Sequence, residues 1–194
     1  MKFLIVLIMT PMLGFAQPDS IAAHRARVDR DFADAGKSPL TEADRLHFKG
    51  LDYFAYDHRY AVVAKVTLIP DAKPFKMKTT TERLPLYREY ARLDFDIDGK
   101  PQSLTVYQNL DLATKPGFRD YLFLPFMDVT SGNETYIGGR YLDLTKPTGN
   151  TILLDFNKAY NPYCAYNYQY SCPRVPAGNH LSVPILAGVQ KFHE

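Results

Sequence analysis

The sequence predicts a mainly β domain, either an antiparallel sandwich or a barrel-like sheet, with one helix at its N-terminus. Three observations support this fold class. Roughly six short segments with strand patterns follow residue 59, turn-forming residues separate them, and no helix alternates regularly with the strands. Helical spacing of apolar residues occurs only near the start of the chain.

Residues 1–16 have the pattern of a secretory signal peptide. Lys2 precedes an apolar run, and the small residues Gly14 and Ala16 stand at the −3 and −1 positions before Gln17. The run is shorter than the roughly 20 apolar residues that a membrane helix needs. We therefore expect a mature protein that starts at Gln17, is exported to the periplasm or secreted, and is soluble without a membrane anchor.

The rest of the chain divides into residues 17–40, an N-terminal helix and lead-in, and residues 41–194, a single β-rich domain. Asp19 or Ser20 is suited to cap a helix that runs to about Ala35. The helix carries a thin apolar stripe made of Ile21, Val28 and Phe32.

A β-hairpin is predicted between residues 87 and 107. Apolar and charged residues alternate from Tyr87 to Asp98, and Asp98-Gly99 is a preferred two-residue hairpin turn. With that turn, Leu93 lies opposite Leu104 and Ala91 opposite Val106, so that both apolar faces coincide. An earlier alternating segment, residues 60–68, predicts a half-buried strand.

Two continuous apolar runs predict central strands that are buried on both faces. They are residues 121–126 and residues 151–156, and both are bounded by turn formers. Leu181, Val183 and Ile185 alternate around Pro184, which cannot donate a hydrogen bond to a neighbouring strand. This last segment is therefore predicted to be an edge strand or a strand end.

Charge and motif content exclude several classes of function. The chain has 23 basic and 21 acidic residues, a net charge of +2, and no basic run longer than two residues, so nothing suggests nucleic acid as a partner. Common serine hydrolase motifs are missing from the sequence. The five histidines are scattered without zinc-ligand spacing, and we predict no metal site and no cofactor.

The loop from Asp128 to Tyr141 gathers hydroxyl, carboxylate and guanidinium groups. One interpretation has Arg140 holding an anionic group of a ligand while Thr130 and Thr135 donate hydrogen bonds to it. In the other interpretation, Arg140 pairs with Asp128 or Asp143 and the loop is only a hairpin or bulge.

Asp155 and Asn157 stand where an apolar run ends. Side chains at strand ends are held by the sheet and remain accessible, so Asp155, like Asp128, is a candidate general base. The alternative is a turn that Asp155 and Asn157 merely stabilise.

Residues 155–173 contain five of the fourteen tyrosines and both cysteines. Aromatic rings with polar handles suit a saccharide or another polar ligand, although the same rings can simply pack on the sheet. The ligand-binding candidates of the whole chain are Thr130, Thr135, Tyr136, Arg140, Asn157, Tyr160, Asn161 and Tyr166. Cys164 and Cys172 favour a disulfide in an exported protein, with two free buried thiols or a reactive thiol as alternatives.

The chain resembles a bacterial family of unassigned function, the domain of unknown function numbered 1684. The runs that carry this resemblance are Gly50–Phe54, Tyr121–Phe126, Asp128–Gly132 with Thr135-Tyr136 and Gly139–Leu142, and Asp155–Cys164 with Cys172-Pro173 and Asn179. They cover most of the chain after about residue 38. The resemblance implies neither an activity nor a set of catalytic residues.

Three functional hypotheses follow from the sequence. The first is binding of a small polar or saccharide ligand in a polar-aromatic pocket built by the two loops, in which Arg140 lies near Asp128, Asp155 or Asn157. The second is a carboxylate-based hydrolase that uses Asp128 or Asp155. The third is a structural or protein-interaction module whose tyrosine-rich loop meets a partner. The sequence does not indicate an oligomeric state.

Overall fold

The computed structural model describes residues 18–192, and the predicted signal peptide lies outside them. All strand pairs are antiparallel, in the order β6-β5-β4-β3-β1-β7, with the short β2 beside β3. The sheet curls into a half-barrel, which confirms the mainly β class and its barrel-like form. The strands are β1 Ala61–Leu68, β2 Phe75–Lys76, β3 Leu86–Ile97, β4 Lys100–Asn109, β5 Tyr121–Phe126, β6 Arg140–Thr145 and β7 Thr151–Asp155.

Two α-helices precede the sheet. The predicted N-terminal helix is present as α1 (Pro18–Ala33), and it buries Ile21 and Phe32. The second, α2 (Glu42–His47), is capped by the Thr41 hydroxyl. No helix within residues 18–192 has the length and apolar character needed to span a membrane. Four 3₁₀ turns complete the helical elements: His58–Tyr60, Leu112–Thr114, Phe156–Lys158 and Tyr163–Ala165.

The β3–β4 hairpin has the predicted register. Leu93 pairs with Leu104 and Ala91 with Val106. The turn residues Asp98 and Gly99 have φ angles of 51° and 76°, the left-handed conformation that a type I′ turn requires at both positions. Local turn chemistry and the apolar pattern agree here, which explains why the sequence predicts this element so closely.

A β-bulge in β3 changes which residues share a face. The pairing shifts between Glu89 and Ala91, so Tyr90 is an extra residue on this strand. Tyr87 therefore lies on the opposite face from Ala91 and Leu93, although all three have odd numbers. The simple alternation expected from the sequence fails at this point.

The two faces of the sheet differ in chemistry. One side, which we call the aliphatic face, includes Ala64, Val66, Leu93, Leu104, Val106, Leu122, Leu124, Phe126, Leu142 and Leu154. The opposite side, the aromatic face, includes Met77, Tyr87, Tyr107, Phe123 and Tyr141. Because side chains alternate along each strand, β5 and β6 supply residues to both faces.

The aliphatic face is covered by the C-terminal segment, in which Leu181, Val183 and Ile185 are buried. The strand predicted there is not formed. Pro184 interrupts any regular ladder of backbone hydrogen bonds. Hydrogen bonds between side chains in and beside the sheet and the backbone of Ile185 and Ala187 hold the segment instead.

The prediction of a central strand is right for β5 and wrong for β7. β5 lies between β4 and β6 and is buried along most of its length. β7 pairs only with β1 within the sheet and forms its edge, with Leu153 37% exposed. An apolar run of five residues does not reveal whether a second neighbouring strand exists.

Candidate ligand-binding site

The aromatic face carries a chain of ring contacts across three strands. Phe123 of β5 packs edge-on against Tyr141 of β6, with ring centroids 4.7 Å apart. Tyr87 of β3 contacts Phe123 on one side, and Tyr160 contacts Tyr141 on the other. Such edge-to-face pairs fix the positions of the rings, so this surface is preorganised.

A cleft of about 480 Å³ lies over this face. Helix α1 forms one wall, strands β5 and β6 form the floor, and the loop of residues 160–173 closes the other side. Seven of the fourteen tyrosines line it. We call it the tyrosine cleft, and its main lining residues are His24, Phe32, Arg83, Tyr87, Tyr121, Phe123, Tyr141, Asp143, Tyr160, Asn161, Tyr163, Tyr166 and Tyr170.

Asp143 of β6 presents an exposed carboxylate in this cleft. Its Oδ1 atom accepts hydrogen bonds from the hydroxyls of Tyr121, at 2.7 Å, and Tyr160, at 2.6 Å. Burial, and next the negative charge of Asp143, raise the pKa of both phenols well above 10. Both hydroxyls therefore keep their protons and hold the carboxylate in one orientation at any ordinary pH.

Asn161 lines the same cleft and carries a buried acceptor without a partner. Its Nδ2 atom donates to the Gln190 carbonyl at 2.8 Å, which fixes the orientation of the amide. The side chain is only 1% exposed, and its Oδ1 atom is buried without a hydrogen-bond partner. A buried acceptor of this kind costs free energy, which a donor on a ligand would recover.

Three predicted ligand-binding residues meet in this cleft: Tyr160, Asn161 and Tyr166. Tyr166 is anchored by edge contacts with Phe32 of α1 and with Phe192, both with ring centroids 5.0 Å apart. The sequence left open whether these rings bind a ligand or pack on the protein. In this part of the tyrosine-rich loop they pack against neighbouring rings and also line a concave surface.

Arg140 lies on the aliphatic face, outside the cleft. The side chain is 0% exposed, and its Nη2 atom pairs with Asp128 Oδ2 at 2.9 Å. The same guanidinium donates to the backbone carbonyls of Ile185 and Ala187. Of the three predicted neighbours of Arg140, Asp128 is thus in contact with it, but Asp155 and Asn157 form no hydrogen bond to it, so the guanidinium does not join the two loops into one site.

The remaining groups of this loop bond to one another. Asp128 Oδ1 accepts from the Thr130 hydroxyl at 2.6 Å and from the Ile185 amide at 3.1 Å. The hydroxyls of Thr130 and Thr135 lie 2.9 Å apart, and both residues are buried. Gly139, with φ of 83°, passes so close to the Phe126 carbonyl that a Cβ atom would lie 2.5 Å from it. We call this group of residues the buried brace, because it fastens the C-terminal segment to the sheet instead of facing a ligand.

Asp155 and Asn157 form the turn that the sequence left as an alternative. The Asp155 carboxylate caps the 3₁₀ turn that follows β7 and accepts from the Asn157 backbone and side chain. Asn157 also bonds to the backbone of Asp57 in both directions. Asp155 borders a second cavity of about 360 Å³ between β6 and β7, which adjoins the tyrosine cleft because His24, Asp143 and Tyr160 line both.

The predicted disulfide is not present, since Cys164 and Cys172 are free thiols. Cys172 Sγ accepts a hydrogen bond from the Cys164 amide at 3.1 Å. Hydrogen bonding from the Cys172 thiol, and then from Tyr136 and Thr80, lowers the pKa of Cys164 to about 7, although burial opposes this. Tyr136 therefore contacts the Cys164 thiol, lines a third cavity and does not line the tyrosine cleft.

Sequence reasoning missed the floor of the cleft. From the sequence alone, Asp143 is predicted only as an alternative partner for Arg140, Tyr121 and Phe123 only as strand residues, and Tyr141 only as the end of the loop that begins at Asp128. A usable signal was present, since polar or aromatic side chains occupy every second position in Tyr121-Leu-Phe123 and in Tyr141-Leu-Asp143. That alternation marks a second, non-aliphatic face on strands that otherwise look buried throughout.

Comparison with known proteins assigns the family. The profile of a family described as protein of unknown function (DUF1684) matches residues 46–190. The chain belongs to the DUF1684 family. A solved structure is similar as well, the solution NMR structure of an uncharacterised protein of Haloarcula marismortui. It is 36% identical, with a TM-score of 0.68, over 89% of this chain and 92% of that chain. No protein among those with curated functions matches the chain.

The DUF1684 match begins at residue 46 and therefore excludes α1, which supplies a wall of the tyrosine cleft. It includes β5, β6 and the tyrosine-rich loop. The region of this chain that matches the family therefore contains the floor and one side of the cleft.

Proposed function

We propose that this DUF1684 protein binds a small polar ligand, such as a saccharide, in the tyrosine cleft. The observation that carries the proposal is the preorganised Asp143 carboxylate, which Tyr121 and Tyr160 hold at the centre of an aromatic cleft of about 480 Å³. Clefts of roughly 300 to 1,000 Å³ with apolar walls and a few fixed polar groups are typical of small-molecule sites.

The two other hypotheses from the sequence have weaker support. A hydrolase based on Asp128 or Asp155 would need an accessible carboxylate. Both oxygens of Asp128 accept from Arg140, Thr130 and Ile185 within the protein, and Asp155 is only 5% exposed and caps the turn at Asn157. A protein-interaction module would need a flat tyrosine surface. Most tyrosines of the loop line a concave surface instead, and Tyr168, at 92% exposed, is the outlying one.

Matched substitutions in one loop test the proposal. Tyr163 lines the cleft and is 46% exposed, whereas Tyr168 lies outside it. Because the chain has no tryptophan and seven of its fourteen tyrosines line the cleft, the NMR resonances of those seven tyrosines report on binding there. We expect Tyr163→Ala to weaken binding of a ligand found in a panel of monosaccharides, disaccharides and amines, and Tyr168→Ala to leave it unchanged. Ligands that perturb no tyrosine of the cleft, or a panel without any binder, would contradict the proposal.

We also propose that the protein is exported, on the basis of the pattern in residues 1–16. Expression of the full chain in a bacterial host, followed by intact mass measurement of the soluble exported fraction, tests this. The expected mass corresponds to a chain that starts at Gln17. A chain that retains Met1 and remains in the cytoplasm would show that residues 1–16 are not a signal peptide.

A further inference from the structure

We infer that the tyrosine cleft selects an organic ammonium ion, such as an amine or an amino sugar, and places its charge beside Asp143. This inference rests on the proposed binding function and names the chemical class of the ligand. It follows from which polar atoms at the centre of the cleft already donate and which can still accept.

The phenol groups nearest Asp143 have no proton left to offer a ligand. The hydroxyl hydrogens of Tyr121 and Tyr160 are both directed at Asp143 Oδ1. What these two tyrosines present to the cleft is therefore the lone pairs of their oxygens. Together with the carboxylate, they form a cluster of acceptors around one negative charge.

Asn161 adds an acceptor that lacks a donor. Its amide nitrogen is committed to the Gln190 carbonyl, and its Oδ1 atom is buried and unpaired. A neutral polar ligand that offers only acceptors would leave this atom unsatisfied. An ammonium group carries several N–H donors and no acceptor, so it complements both Asn161 and Asp143.

The aromatic surroundings favour a cation as well. The rings of Phe123, Tyr141 and Tyr160 surround the position of Asp143 on the cleft floor. Ring faces attract ammonium groups, and this attraction increases where water is excluded. The charge of the carboxylate and the faces of the rings therefore both attract a cation, and both repel an anion.

The basic residues of the cleft do not cancel this preference. Arg83 donates from Nε to the Ser171 hydroxyl at 3.2 Å and from Nη2 to the Ser171 carbonyl at 2.8 Å, so the far loop holds its guanidinium. Burial, and then the charge of Arg27, lower the pKa of His24 below its usual value of 6.5. His24, the titratable residue of α1 that lines the cleft, is therefore neutral at pH 7.

Two ligand pairs of nearly equal shape test the inference. Glucosamine and glucose differ in an ammonium and a hydroxyl group, and benzylammonium and benzyl alcohol differ in the same way. We expect the ammonium member of each pair to bind about tenfold more tightly or better, by calorimetry or NMR titration at pH 7. Asp143→Asn keeps an oxygen for the two tyrosines but removes the charge, and it should abolish the preference.

The matched control is Asp120→Asn. This substitution removes the same charge from a neighbouring position, at a side chain that is 61% exposed and lies outside the cleft. It should leave the preference intact, since Asp120 does not line the cleft and lies away from a ligand bound there. Equal loss in both variants would show that net charge, and not Asp143, governs binding.

The outcomes separate this inference from the proposed function. If glucose or benzyl alcohol binds as tightly as its ammonium counterpart, at the cleft tyrosines, the selectivity for a cation is wrong and the binding function stands. If Asp143→Asn retains the preference, the assignment to Asp143 is wrong. If neither pair nor any member of the wider panel binds, the inference fails together with the proposed function.

Discussion

Arg140 and Asp143 lie three residues apart on the same strand, and their environments are opposite. Arg140 points to the aliphatic face, is 0% exposed and bonds only within the protein. Asp143 points to the aromatic face and remains exposed, held by two phenols. The face on which a charged residue stands, and not its presence in a motif, therefore decides whether it can contact a ligand.

The largest effect is expected from breaking the buried brace. Arg140→Met leaves the Asp128 carboxylate buried without its counter-charge, and removal of one partner of a buried pair typically costs about 3 to 5 kcal/mol. Urea unfolding should show this loss in the free energy of unfolding. Asp143→Asn is the control on the other face and should cost no more than about 1 kcal/mol, because the amide oxygen can still accept from the two phenols. Comparable losses in the two variants would refute the division between the faces.

A second large effect is expected at Asn179, which fastens the C-terminal segment to the aliphatic face. Its side chain is 0% exposed and bonds to Thr105 in both directions, at 2.8 and 2.7 Å, and to the Pro125 carbonyl at 2.7 Å. Asn179→Ala should lower the free energy of unfolding by about 2 to 3 kcal/mol, because it leaves buried backbone groups unpaired. Tyrosine resonances of the cleft should barely move, and large shifts there would argue against independent faces.

Smaller effects are expected for Tyr121→Phe and Tyr160→Phe, which keep the rings and remove the hydrogen bonds to Asp143. Each should cost about 1 kcal/mol and weaken ligand binding. A double-mutant cycle between the two sites checks whether they act through the one carboxylate. Strictly additive losses would indicate that the two hydroxyls are not coupled through Asp143.

The same phenols give the protein a pH dependence with a definite sign. Their pKa values are raised in the folded state, by burial first and by Asp143 next, so the folded protein binds more protons than the unfolded chain above about pH 10. This stabilisation is complete below pH 10 and is lost as the pH rises further. Unfolding measured from pH 8 to 11 should show the decline, and the double Phe variant should show less of it. An identical decline in both proteins would contradict the assignment.

The smallest effect concerns one thiol beside the cleft. The Cys172 thiol, Tyr136 and Thr80 lower the pKa of Cys164 to about 7, while the same contact with Cys164 raises the pKa of Cys172. The rate of alkylation by iodoacetamide should therefore rise with a midpoint near pH 7 at Cys164, and Cys172 should react more slowly. Cys172→Ala should move the midpoint upward. A protein without any thiol that reacts after unfolding would instead carry the disulfide.

Several parts of the fold could be predicted from the sequence because the determining interactions are local. The hairpin register follows from the alternation around Leu93 and Leu104 and from the turn at Asp98-Gly99. Helix α1 follows from its apolar spacing. Tyr160, Asn161 and Tyr166 were placed in a polar-aromatic site because one short segment carries them all.

Other parts required contacts between distant segments. Nothing near Arg140 in the sequence indicates that the carbonyls of Ile185 and Ala187 would enclose its guanidinium. The bulge at Tyr90 turns Tyr87 toward the aromatic face. Strict alternation of apolar and polar residues does not predict the position of this bulge. The edge position of β7 depends on which strands pair in the sheet, and the five residues of β7 do not determine that pairing.

The sequence by itself determined the mainly β class, the first helix, the central hairpin and the aromatic, polar character of the segment after β7. These depend on backbone preferences and on side-chain spacing over fewer than about a dozen residues. Only the tertiary structure decided that Asp143 and not Arg140 faces the cleft, and that Asn161 keeps an unpaired oxygen there. The physical reason is that burial and hydrogen-bond satisfaction are set by residues far apart in the chain, which meet only when the sheet curls and the C-terminal segment covers one of its faces.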